Sequence, residues 1–301
     1  MKFFSALNTF SATILRKPFA FIAVLSLVVS SAALASSPVQ IVFKDGYPMV
    51  DCSFNGVFFE KGCILDTGAP EVTLPPGLLE ASDEYPRLNP YGTYDPEGAK
   101  GVEMKGCDVR TVLLLKVGNF ISPVHHALRC QSVGTNAGNL GISVLDGQVW
   151  NFDFKKNMLI QEDQLPANLI IEPLERSSQG HIFLDAFIGG SKMKAAFDTG
   201  SPNTFIDLQF VKSHPEDFVC SQKNFMESTG WTFYQCSTNH LVMNHQSFDL
   251  AAIYAVDFSK IPVFKDVLFD NGVLILLGKD AREFHQWHIN LQKNEWALGL
   301  K

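Results

Sequence analysis

Cys63-Ile64-Leu65-Asp66-Thr67-Gly68-Ala69-Pro70 and Ala195-Ala196-Phe197-Asp198-Thr199-Gly200-Ser201-Pro202 are two versions of one stretch. In each, three apolar residues lead into Asp-Thr-Gly, and a small residue and a proline follow. The apolar approach reads as a strand entering a core, and the glycine and proline as its end. One such triplet arises by chance in roughly one chain of this length in twenty, so a single copy would decide little. Two copies in matching surroundings predict a duplicated unit that sets a carboxylate at the end of a buried strand each time.

Other features recur at nearly the same offset as the 132 residues between Asp66 and Asp198. Gly101 with Cys107 matches Gly230 with Cys236, 129 apart. Leu140-Gly141 followed by Trp150, Phe152, Phe154, Lys156 and Asn157 matches Leu277-Gly278 followed by Trp287, Ile289, Leu291, Lys293 and Asn294, 137 apart. The constant order predicts two lobes, 36–165 and 166–301, joined by a polar linker over 161–179 that carries Pro166 and Pro173. Short β-branched or aromatic runs punctuated by Asn-Gly, Asp-Gly or proline predict strands at 39–43, 49–54, 57–65, 111–117 and 149–154 in the first lobe. Strands at 181–188, 192–197, 240–243, 248–255 and 273–277 follow in the second. Asn55-Gly56 and Gly189-Gly190 are the hairpin turns before the two Asp-Thr-Gly sites. Only 75–81, 207–213 and 281–286 read as helices, so the class is all-β.

The chain has 301 residues, 46% of them apolar and 18% charged, enough for two packed lobes. Residues 1–35 stand apart: Lys2, Arg16 and Lys17, a nearly unbroken apolar run over 19–29, and the small-x-small Ala33-Leu34-Ala35. They read as a signal peptide cut after Ala35, an uncleaved anchor being the alternative, with no stable membrane span after its removal. The exported part keeps 21 basic and 31 acidic side chains, a formal charge of −10, which argues against nucleic acid as a partner. All six cysteines lie in that part, and an even count in an oxidising compartment predicts disulfides. Sequence alone does not choose among the fifteen possible pairings; Cys52 with Cys63, Cys107 with Cys130, and Cys220 with Cys236 are favoured, because each closes a loop within one lobe. Periplasm and medium are both open.

No metal or other cofactor is expected. His125 and His126, adjacent on a strand, point to opposite faces, and His285 and His288 have no third ligand nearby in sequence. Ser143, in Gly141-Ile142-Ser143-Val144-Leu145, lacks the second glycine of a nucleophile elbow.

The paired Asp-Thr-Gly loops, each followed later by Leu-Gly, resemble the pepsin and retropepsin superfamily of aspartic peptidases over about residues 38–301. The resemblance implies a bilobal acid-protease fold, two similar β-barrel-like lobes with the active-site cleft between them. It also implies an aspartic endopeptidase, an extended polypeptide substrate with apolar side chains at the scissile bond, and a monomer. Asp66 and Asp198 would be the catalytic pair, sharing one proton because two adjacent carboxylates do not both ionise cheaply. Thr67 and Thr199 would hold the loops together across the lobes, Gly68 and Gly200 would admit their close approach, and Leu140, Gly141, Leu277 and Gly278 would pack beneath. The second Leu-Gly fits the family pattern better, because Asn139 fills an apolar position in the first.

One further difference separates the loops. Ala69 has no hydroxyl, whereas Ser201 offers one to Asp198, which predicts Asp198 as the ionised member and Asp66 as the protonated one. A flap over the cleft is expected between Tyr91 and Cys107, with its tip near 98–101, and its counterpart over 225–236. The alternatives are a catalytically silent exported binding module of the same fold and a narrow-specificity processing protease.

Overall fold

The strand entering the first Asp-Thr-Gly, Cys63–Leu65, pairs in parallel with Gly138–Leu140, and the one entering the second, Ser191–Phe197, pairs in parallel with Val273–Leu277. Each pairing brings a Leu-Gly motif under a loop: the Asp66 N–H donates to the Leu140 carbonyl at 3.0 Å and the Asp198 N–H to that of Leu277 at 3.1 Å. The computed structural model describes residues 37–74, 87–89, 107–122, 126–130, 138–226 and 231–299. The expected signal at 1–35, the helix at 75–81 and the flap tip at 98–101 lie outside the described residues.

The architecture is all-β and bilobal. One sheet runs in the order Gly138–Leu140, Cys63–Leu65, Tyr47–Val50, Val39–Lys44, Met158–Glu162, Val149–Asp153, Trp287–Asn290, Glu295–Leu298, Glu172–Pro173. It passes from the first half of the chain to the second where Val149–Asp153 pairs antiparallel with Trp287–Asn290. In the second half, Ile182–Ile188, Ser191–Phe197, Val273–Leu277, Phe205–Asp207, Gln246–Val256 and Trp231–Met243 close into a barrel, because the first of these also pairs with the last. The first half adds a four-stranded sheet (Val57–Phe58, Cys52–Phe54, Leu115–Val117, Phe120–Ser122) and a three-stranded one (His126–Cys130, Cys107–Thr111, Arg87–Asn89).

The duplication is visible in matched details. The Trp150 indole donates to the Leu145 carbonyl at 2.9 Å and the Trp287 indole to that of Arg282 at 2.8 Å, five residues back in both. Asn157 and Asn294 both turn the chain at φ 56°, a left-handed conformation that asparagine tolerates. One apolar core runs through both halves, with Phe197 between Phe152 and Trp287 at ring distances of 5.6 and 4.8 Å. Burying each such phenylalanine contributes about 2–3 kcal/mol, and here the same side chain also fixes the residue before Asp198.

Several expected elements are shorter, longer or displaced. The run 57–65 is two strands, Val57–Phe58 and Cys63–Leu65, because the chain turns through Gly62 at φ 71°. Likewise 111–117 divides into the end of Cys107–Thr111 and Leu115–Val117. The helix expected at 281–286 is Lys279–Arg282, starting directly after Gly278, while 207–213 holds as Leu208–Ser213 with Asp207 capping the Gln209 and Phe210 N–H groups. The linker contains two edge strands, Glu172–Pro173 and Glu175–Arg176. Glu295–Leu298 is a strand that sequence reading missed, and Trp231–Met243 is far longer than the expected 240–243.

Among the described residues, disulfides join Cys52 to Cys63 and Cys220 to Cys236, with sequence separations of 11 and 16, each worth about 3 kcal/mol if unstrained. Cys107 and Cys130 are register partners in an antiparallel pair, and their side chains lie outside the described residues. Among the described residues no helix is long and apolar enough to cross a membrane.

Candidate active site

Thr67 and Thr199, 1% and 0% exposed, interlock the two Asp-Thr-Gly loops. The Thr67 N–H donates to Thr199 Oγ1 at 3.0 Å, and the Thr199 N–H to Thr67 Oγ1 at 3.0 Å. Each hydroxyl then donates onward across the lobes, Thr67 to the Phe197 carbonyl at 2.8 Å and Thr199 to the Leu65 carbonyl at 2.7 Å. The N–H and hydroxyl of each threonine in this buried crossing are therefore satisfied by the other loop, which an apolar contact could not achieve.

The interlock leaves no room for side chains at the glycines. A Cβ on Gly68 would stand 2.3 Å from Asp198 Cγ, and one on Gly200 2.3 Å from Asp66 Cγ. Each glycine thus lies flat against the carboxyl of the other loop. Beneath them, a Cβ on Gly141 would meet the Glu71 and Ala69 carbonyl oxygens at 2.3 and 2.7 Å, and one on Gly278 those of Asn203 and Ser201 at 2.0 and 2.9 Å. The two Leu-Gly motifs thus lie against the segments that leave the loops, each glycine too close to admit a Cβ.

Asp66 and Asp198 are brought together, with different donors. Asp66 accepts the Gly68 N–H on Oδ1 at 3.0 Å and the Asn139 amide on Oδ2 at 2.8 Å. Asp198 accepts two N–H groups on Oδ1, from Gly200 at 2.9 Å and Ser201 at 3.0 Å. Burial holds the Asp198 carboxyl well above the usual carboxylate range, and the adjacent Asp66 charge and its hydrogen bond push it the same way, against the two N–H donors. Asp198 is accordingly the member pushed toward its protonated form, a direction opposite to the sequence expectation. The reason is local: the Ser201 hydroxyl donates to the Asn203 carbonyl at 2.7 Å instead of to Asp198.

Three residues here were not singled out for the site from sequence. Asn139 was noted only as a departure from an apolar pattern. His181, 5% exposed, is held below its ordinary range by burial, opposed by a hydrogen bond to the Gly68 carbonyl and by the Asp66 charge. Its Nδ1 lies 3.0 Å from the Ser177 hydroxyl, whose oxygen already accepts the Gln179 and His181 N–H groups. Arg282 is fully buried and bonds the carbonyls of Thr199, Ser201 (3.0 Å) and Gly46, with its guanidinium over the Phe43 and Phe154 rings. Its counterpart in the first repeat is Leu145, so nothing in the repeat announces it.

Arg282→Leu is expected to lower stability by roughly 3 kcal/mol, since it strands buried carbonyls from both halves of the chain. Urea unfolding measures this, and a loss under about 1 kcal/mol would mean those carbonyls find other donors.

A cavity of about 80 Å³ opens beside the pair, with Thr67, Gly68 and Asp198 on one side and Ile182, Val263, Phe264, Val267, Leu268 and Leu276 among its apolar walls. The histidines weighed as ligands have other surroundings: His288 Nδ1 pairs with Glu162 at 2.9 Å, and His285 packs on Phe248 with ring centroids 4.8 Å apart.

No protein-family model matches the chain, and comparison with curated proteins finds no match. Among solved structures, the fold is similar to that of an aspartic proteinase from Irpex lacteus, with a TM-score of 0.53, 10% sequence identity, and coverage of 88% of this chain and 97% of that one. At this identity the likeness is one of fold, and it extends over nearly the whole length of both proteins.

Proposed function

We propose that the chain is an exported aspartic-type endopeptidase that hydrolyses peptide bonds with Asp66 and Asp198 as its catalytic pair. The observation that carries this reading is the reciprocal packing of the two loops, in which each glycine leaves space only for the opposite carboxyl. Two carboxyls held this way, one of them kept protonated, supply a base and an acid on one scissile bond without a cofactor. The ionised Asp66 takes a proton from a water whose oxygen attacks the carbonyl carbon. Asp198 gives its proton to the carbonyl oxygen; the tetrahedral diol then collapses as the proton taken up by Asp66 passes to the amide nitrogen, the C–N bond breaks, and a diol hydroxyl returns a proton to Asp198.

The apolar cavity beside Asp198 supports an extended polypeptide with an apolar side chain next to that bond. The two disulfides favour an oxidising compartment, periplasm or medium, reached through residues 1–35 as signal peptide. The lobes would then be 36–165 and 166–301.

The test is incubation with an unfolded, carboxymethylated protein in ¹⁸O-water across pH 3–7. Cleavage on the acid side, with one ¹⁸O entering each new C-terminus, is the expected result. Intact substrate at every pH would overturn the reading.

A further inference from the structure

Asn139 and Leu276 occupy the same place in the two repeats, 137 residues apart, one residue before Leu-Gly. Leu276 joins an apolar cluster with Phe183 and Ala196. Asn139 is held by its backbone instead: its N–H donates to the Thr73 carbonyl at 2.9 Å, and its carbonyl accepts the Thr73 N–H at 2.8 Å. It lies opposite Ile64 in the parallel pairing, two residues before Asp66, and from there its amide reaches Asp66 Oδ2. The amide oxygen has no hydrogen-bond partner among the described residues, so Asp66 sets the orientation of the amide. Turned over, it would set an oxygen against a carboxylate.

The donor sets then divide the pair by geometry. Both oxygens of Asp66 accept hydrogen bonds from donors outside the pair, and donors on both favour the charged form of the group. Asp198 takes both of its N–H donors on a single oxygen, which leaves the other for the proton. Ala69 offers no side-chain donor to take Asn139's place.

Resting on the peptidase reading for its consequence in catalysis, we infer that Asn139 is a positioning residue for the reaction: its amide keeps Asp66 anionic, and so makes Asp66 the water-activating base. The other charged groups around Asp66 are Asp198 from the opposite loop, His181 from the start of Ile182–Ile188 and Arg282 from Lys279–Arg282, with Glu71 on the segment after the loop. None of them is altered in the test.

The full chain is labelled with ¹³Cγ-aspartate, the pair's signals are assigned by their absence in Asp66→Asn and Asp198→Asn, and the carboxyl carbons are titrated by NMR. Asn139→Leu is expected to raise the midpoint of the pair's first protonation by about one pH unit, the worth of one hydrogen bond to a charged group. Asn139→Gln, which keeps an amide donor, is expected to shift it by less than about half of that. The acid limb of kcat/KM against pH is expected to move with the midpoint, a change that loss of packing alone would not produce. If Asn139→Leu does not fold, Asn139→Ala serves in its place. A midpoint within about 0.2 unit of the parent in a folded variant would overturn the inference. The NMR titration needs no turnover, so an inactive chain with a shifted midpoint would sink the peptidase reading and leave the role of Asn139 in the pair standing.

Discussion

Asp198→Asn is expected to lower kcat/KM for peptide hydrolysis by at least about 10³-fold while the fold is kept. The amide has nearly the shape of the acid and still accepts the N–H groups of Gly200 and Ser201, so the loop has no reason to move. It has no acidic proton to give to a carbonyl oxygen, and general acid–base steps of this kind are worth about 10²–10⁴ each. Asp66→Asn is expected to do comparable damage by removing the base. A variant of either kind that retained more than about a tenth of the parent activity would end the two-carboxylate account. Stability gives a second, independent readout. Because the folded protein holds the Asp198 carboxyl well above its ordinary value of 3.8, the folded state keeps a proton that the unfolded chain releases. This group's contribution is therefore whole below about pH 4 and is lost as pH rises through the folded value. Asparagine carries no such dependence, so urea unfolding is expected to favour Asp198→Asn over the parent more at pH 7 than at pH 3.5. A difference that did not change with pH would contradict the protonation assignment.

The double substitution Thr67→Val, Thr199→Val is expected to cost roughly 4–6 kcal/mol, a large part of the 5–15 kcal/mol that holds a typical domain folded. Four hydrogen bonds are lost, and two buried N–H groups and two buried carbonyls are left facing methyl groups. Each single substitution already breaks two of these bonds and strands one group of each kind. The singles are therefore expected to sum to about the whole loss, with a coupling of about 1 kcal/mol from the shared crossing. Denaturant midpoints of the four proteins close the cycle. A double variant that lost under about 2 kcal/mol would show that the loops are held by packing alone.

The division of labour between sequence and structure follows from what repeats. The Asp-Thr-Gly loops, the Leu-Gly motifs and the Trp-to-Asn strand return at offsets that vary by a few residues, so the all-β duplicated fold could be read from spacing. The paired aspartates, threonines and glycines could be read for the same reason. What spacing could not convey lies in the places where the copies differ. Arg282 stands against Leu145 and Asn139 against Leu276, and His181 reaches Gly68 from the start of a segment read only as a strand. Each is polar where its surroundings are apolar, and such a residue is a signal that its partner must be found in space. Ser201 shows the opposite error: a hydroxyl three residues from a carboxylate has a backbone carbonyl within equal reach, and sequence gives no means of ranking the two. The expected strand at 57–65 failed for a simpler reason, since its β-branched and aromatic run reads straight through Gly62, where the chain turns at φ 71°; that at 111–117 breaks where the Leu113 and Leu114 N–H groups donate to the Asn55 side chain, a partner distant in sequence.

The sheet shared by both halves has a consequence for how the chain reaches this state. Its junction, Val149–Asp153 against Trp287–Asn290, joins segments more than a hundred residues apart, and the threonine crossing spans 132 and the Arg282 bond to Gly46 spans 236. Contacts of such separation form late, because the loop-closure entropy must be met before they return any energy. In refolding, strand structure and the local Trp-to-carbonyl bonds should therefore return first and the carboxyl pair last, so that a partly folded chain carries both aspartates and has no site.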